Sequence, residues 1–210
     1  MTTEDLIKVL AKDNRPRMGV RLRILLGLLL AVVLSLVLMR WLFGFRPDLF
    51  AVLRTDVALK TVLPAVLAAS AVALSASLAR PASGGRLRVV MLALATGVAL
   101  LGFLGALHRD GLPGLAAQIA NPMLGLELSS VLLLAAIPLV GLLWALGGGA
   151  CIRPALTGAV AGFGAGAAGA AIYSLASTED SVLFVVPIYG LAMALVALIG
   201  AIAGWKTLRW

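Results

Sequence analysis

The run ILLGLLLAVVLSLVLM, Ile24–Met39, carries no charge, and past Arg40 it continues as Trp41-Leu42-Phe43-Gly44-Phe45. Together this is roughly 22 residues, enough to cross a hydrocarbon core of about 30 Å. Lys8, Lys12, Arg15, Arg17, Arg21 and Arg23 precede it, as basic residues also precede the core of a signal peptide. The run outlasts an ordinary signal-peptide core, however, and no small-residue cleavage motif follows Met39-Arg40-Trp41. It reads as a first membrane span, and the rest of the chain is read from it.

Working outward, further spans are predicted at Val57–Ala79, Leu87–Leu107, Leu126–Leu146, Pro154–Leu175 and Val182–Gly204, parted by FRPD, RPASGGR, HRDGLPG, GGGACIRP and STEDS. Composition agrees. Of 210 residues 62% are hydrophobic and 12% charged, with a mean hydropathy of +1.10, too apolar for an ordinary water-soluble domain. The expected fold is all-α: a polytopic transmembrane bundle of six helices over residues 24–205, led by a cytoplasmic segment, 1–23, with a short amphipathic helix, and followed by a tail, 206–210.

Six spans put both termini on one side. Twelve of the 17 Lys and Arg residues fall there: the six before the first span, then Arg80, Arg86, Arg88, Arg153, Lys206 and Arg209. The positive-inside rule makes that side the cytoplasmic face of a bacterial inner membrane. The net charge of +8 then faces anionic headgroups and calls for no nucleic acid.

Chemistry is sparse. One cysteine, Cys151, and one histidine, His108, exclude disulfide frameworks and zinc clusters, and they are predicted on opposite faces. No catalytic site, metal site, cofactor or small-molecule substrate is expected. No span has an ionisable residue near its middle, as a proton or ion relay needs. Glu127 and Lys60 lie near span ends and are expected to snorkel; His108-Arg109-Asp110 reads as a solvated turn, and the acidic pair of Thr178-Glu179-Asp180-Ser181 is expected to cap the sixth span. An uncoupled small-molecule facilitator or channel remains the alternative.

Two patterns stand out. In PALTGAVAGFGAGAAGAAIY, Gly158, Gly162 and Gly166 recur every fourth residue, and Gly200 and Gly204 repeat that spacing, which predicts close packing of the fifth span on the sixth. At the N-terminus, Thr3 is a credible N-cap, Glu4 and Asp5 sit at the positive end of the dipole, and Pro16 closes the helix near Asn14. Leu6, Ile7 and Leu10 share one side and Glu4, Lys8 and Lys12 another. A helix of about a dozen residues is marginal alone, so either the membrane surface or a partner's groove must hold it, and both would use the same apolar stripe.

The opening TTEDLIKVLAKD, Arg46-Pro47-Asp48-Leu49, Arg153-Pro154 with LTGAVAGFGAGAAGA, Glu179-Asp180-Ser181 and the closing Leu208-Arg209-Trp210 occur in an ordered set. In these pieces the chain resembles, over its whole length, the NrsF family: six-span bacterial inner-membrane proteins named for negative regulation of the extracytoplasmic-function sigma factor SigF. The resemblance implies an anti-sigma factor that holds a sigma factor at the lipid bilayer until an envelope stress signal releases it, with no direct nucleic-acid contact. It implies Asp5, Leu6, Ile7 and Leu10 as sigma contacts, with Thr3 and Glu4 beside them, and makes Arg46, Asp48, Glu179 and Asp180 candidates for periplasmic signal loops. Relatives often carry periplasmic cysteines before the fourth span and before the Glu-Asp-Ser turn. Here residues 121–130 and Ala176–Glu179 contain none, so the signal is expected to act through acid-base loops, lipid, a second protein or helix packing.

Overall fold

A computed structural model describes residues 19–47, 58–79, 86–149 and 151–209. The expected amphipathic helix, with Thr3, Glu4, Asp5, Leu6, Ile7 and Leu10, and the loop residue Asp48 lie outside the described residues. Six helices make up the fold: α1 (Val20–Leu42), α2 (Leu59–Leu78), α3 (Arg86–Ile119), α4 (Leu124–Leu146), α5 (Pro154–Tyr173) and α6 (Val182–Thr207). Each is long and apolar enough to cross a bilayer, and no strand occurs among the described residues. Leu25, Leu29, Leu94, Leu101 and Val140 are each more than 60% exposed, an outward surface suited to lipid rather than water.

The helices alternate in direction, so Gly19 and Arg209 share one end, the terminal end, opposite a distal end. Helix α5 is the hub, and its lack of side-chain bulk is the reason. Gly158 and Gly162 abut the backbone of α6 at Gly200 and Val196, while Gly166 would place a Cβ 2.8 Å from Met193 Cα. On other faces, a Cβ on Gly164 would lie 3.2 Å from Ala71 Cβ of α2, and one on Gly169 would lie 2.8 Å from the backbone nitrogen of Ala135 of α4. Three helices therefore approach α5 at once, where dispersion between close backbones substitutes for an absent hydrophobic drive.

Helix α1 packs chiefly on α4 and barely touches α2, its neighbour in sequence. The Arg23 guanidinium donates to the Trp144 carbonyl at 3.4 Å and lies 4.7 Å from the Trp144 ring centre, a cation at the negative end of α4. Further along, a Cβ on Gly141 would stand 3.0 Å from the Gly27 carbonyl oxygen, and buried Ser35 Oγ donates to the Leu134 carbonyl at 3.2 Å. Buried Ser70, Ser75 and Ser77 of α2 instead donate to carbonyls three residues back in their own helix.

Two elements differ from expectation. The segment HRDGLPG, read as a loop after Leu107, is largely helical: His108, Arg109 and Asp110 finish the first part of α3, the chain breaks at Gly111 (φ 66°, ψ −175°), and helix resumes to Ile119. Positive φ favours glycine, and Pro113 falls in the first turn of the new piece, where its missing N–H costs nothing. The Gly-Leu-Pro signal marks a kink between two helical pieces. At the other end α6 runs past Gly204 through Lys206 to Thr207, and the lysine complements the last carbonyls.

Candidate functional site

The distal end holds a connected set of charged and polar side chains. Arg46, just beyond α1, donates through its guanidinium to Asp180 Oδ1 at 2.7 Å, and its backbone N–H donates to the Leu175 carbonyl at 3.2 Å. Lys60, in the first turn of α2, donates to the carbonyls of Ser177 (2.8 Å) and Glu179 (2.7 Å) and to Asp180 Oδ1 (2.9 Å). Ser177 Oγ donates in turn to Glu127 Oε1 of α4 at 2.8 Å, while Ser174 Oγ meets Thr61 Oγ1 at 2.8 Å. The turn between α5 and α6 is thereby tied to α1, α2 and α4. Below it, the Phe43 ring stands edge-on to Tyr173, with centroids 5.5 Å apart.

Three expectations are corrected here. Lys60 and Glu127 do not snorkel: the lysine side chain is 7% exposed and Glu127 is buried, both turned inward because carbonyls, a hydroxyl and an opposite charge wait at their depth. Nor does the acidic pair cap α6. Ser181 occupies the N-cap without a side-chain cap bond, Asp180 is drawn to Arg46 and Lys60, and only Glu179 Oε1 accepts from the Ser181 N–H, at 3.4 Å.

The Arg46 guanidinium bonded to Asp180, with Lys60 adding to it against a smaller opposing effect of burial, holds the Asp180 carboxyl below the ordinary aspartate range. A pKa lowered by folding contributes stability that is complete above the unfolded value and is lost as pH falls through the folded one. Thermal unfolding of the solubilised full-length protein is therefore expected to lose its Arg46–Lys60–Asp180 contribution only in strong acid. In Asp180→Asn the midpoint should already be lowered at neutral pH and should respond less to acid; a variant with an unaltered acid profile would contradict this.

Of the residues singled out in sequence, Arg46, Glu179 and Asp180 meet in one cluster, and Gly158, Gly162, Gly166, Gly200 and Gly204 lie along one α5–α6 seam. Sequence reasoning missed Lys60, Glu127 and Ser177. For Lys60 and Glu127 the signal was a base or an acid in the first turn of a helix starting at the end where the acidic turn lies. Cys151 is buried, which pushes its thiol up and away from the thiolate, and no three metal-ligating side chains converge among the described residues.

Fold and site together define a polytopic helical protein whose polar groups clamp one helix–helix turn. The chain belongs to the NrsF family, described as "Negative regulator of sigma F", whose model matches residues 10–210. A relative from Caulobacter vibrioides (strain NA1000 / CB15N), Anti-sigma-F factor NrsF, is 32% identical over 217 residues, covering 100% of each chain. No solved structure matches.

Proposed function

We infer that this chain is a membrane-bound anti-sigma factor: its N-terminal cytoplasmic segment sequesters an extracytoplasmic-function sigma factor, and an envelope stress signal releases it. The observation carrying this reading is the full-length match to a relative named as an anti-sigma factor, from the first residue of this chain to the last. The basic terminal side supports a bacterial inner membrane with cytoplasmic termini. The occupied glycine faces of α5 favour a packed bundle over the facilitator reading, because α2, α4 and α6 fill the space a glycine-lined pore would need.

In this reading residues 1–23 are the binding segment. Leu6, Ile7 and Leu10 anchor in a groove of the sigma factor, and Thr3, Glu4 and Asp5 set helix start and register. Arg46, Asp48, Glu179 and Asp180 belong to the receiving, periplasmic end. The test is co-purification from solubilised membranes of the intact protein and of a Leu6→Asp, Ile7→Asp variant, with bound soluble proteins identified. Buried anchors contribute on the order of 2 kcal/mol each, so the variant should insert normally yet retain the sigma factor several-hundred-fold more weakly. Equal retention by both chains would move the contact elsewhere, and no sigma factor with either would defeat the reading.

A further inference from the structure

Among the described residues three buried side-chain atoms lack a hydrogen-bond partner: Arg88 Nη1, Glu127 Oε2 and the Tyr189 hydroxyl. The last two belong to one place, beneath the distal turn, where Tyr189 lies within electrostatic reach of Glu127. Glu127 is 5% exposed and Tyr189 2%. A carboxylate has room for about four hydrogen bonds, and this one receives a single donor, Ser177 Oγ.

The cation acting on Glu127 cannot complete it. Lys60 has three N–H donors, all committed at 2.7–2.9 Å to the Ser177 and Glu179 carbonyls and to Asp180, and an ammonium has no fourth. Arg46 is turned to Asp180. The other titratable neighbours are Glu179, which contributes like charge, Asp180 beside it on the turn, Tyr173 from α5 and Tyr189 from α6. Tyr189 comes near Ser177 without reaching hydrogen-bond geometry. An anionic Glu127 thus leaves one oxygen, Oε2, buried and undonated.

We propose that Glu127 is a proton-binding site: acidification of the distal face adds a proton at the undonated Oε2, and the hold on Ser177 weakens. The proton comes from solvent, and no other bond is made or broken covalently. Hydrogen bonds to an ionised acceptor are roughly twice as strong as neutral ones, so a neutral Glu127 releases part of its grip on the Ser177 hydroxyl. Ser177 also supplies one of the carbonyls that seat Lys60 and accepts the Glu179 N–H at 3.3 Å. The turn and α4 are thereby freed to move relative to each other. Helix α4 is the one on which α1 packs, and α1 leads directly into the N-terminal segment; this last link to release rests on the anti-sigma reading, whereas the proton site does not.

The experiment is infrared difference spectroscopy of the full-length protein in lipid nanodiscs between neutral and acid buffer. A carbonyl band of a protonated buried carboxyl is expected on acidification. It should be lost in Glu127→Gln, kept in Glu179→Gln, and shifted in frequency in Ser177→Ala, which removes the hydroxyl bonded to Oε1 without touching the acid. No band, or a band that survives in Glu127→Gln, overturns the proposal. Should Glu127→Gln fail to fold, an unshifted band in Ser177→Ala overturns it instead. Sigma-factor retention read over the same pH range separates the two claims: a band that forms while the sigma factor stays bound leaves the proton site standing and removes its part in release.

Discussion

Gly200→Val is expected to destabilise the bundle by about 3 kcal/mol, the upper range for forcing bulk into a packed interior. The first added carbon would run into the Gly158 carbonyl oxygen and lie 2.9 Å from Gly162 Cα and 3.1 Å from Gly162 N. None of these is the end of a flexible side chain, so the only relief is separation of α5 from α6, and separation forfeits contacts along the whole seam. Gly190→Val is the control within the same helix, because nothing lies within 4 Å of a Cβ placed there, and its effect should stay within about 0.5 kcal/mol. Thermal unfolding followed by size-exclusion chromatography of the solubilised proteins makes the comparison. Equal midpoints for the two variants would mean that the seam contributes little.

Lys60→Met should cost on the order of 2–4 kcal/mol, because it removes the donor shared by three acceptors while keeping most of the apolar stem. Asp180 contributes little to this loss, because it is 30% exposed and keeps Arg46. The greater part of the loss comes from the Ser177 and Glu179 carbonyls, left beneath the turn without a donor. A double-mutant cycle with Asp180→Asn separates these contributions: the coupling should be smaller than the loss in Lys60→Met alone, since two of the three partners are backbone. A Lys60→Met protein as stable as the parent would show that the turn is held by other contacts.

How much of this was legible depended on whether the deciding physics was local. Uncharged runs of about 20 residues have one stable fate, so the six helices could be read directly and, apart from the far end of α3, their ends lay close to those expected. Glycines every fourth residue mark one helix face, which exposed the α5–α6 seam. Gly164 and Gly169 stand off that register, and their role against α2 and α4 depends on neighbours far away in sequence. A charge near a helix end has two outcomes, reaching out to the interface or turning inward, and the choice rests on whether a partner waits at the same depth. For Lys60 that partner, Asp180, is 120 residues away. At Gly111 the turn signal was visible, but whether it parted two spans or bent one helix was decided by helix resuming beyond Pro113.

The pairing of α1 with α4 has a consequence for biogenesis. Ser35 meets Leu134 across 99 residues and Arg23 meets Trp144 across 121. At about 5–20 residues per second, a ribosome needs several seconds or more to deliver the partner after the first helix has emerged. For that interval α1 cannot form a hairpin with α2 and must stand in the lipid alone, its orientation kept by the basic residues ahead of it. The clamp at the far end closes later still, when α6 and the turn before it arrive. Residues 1–23, the proposed capture segment, thus emerge well before the distal clamp, the proposed point of release, can close: a nascent chain would acquire its grip before it acquired the means to let go.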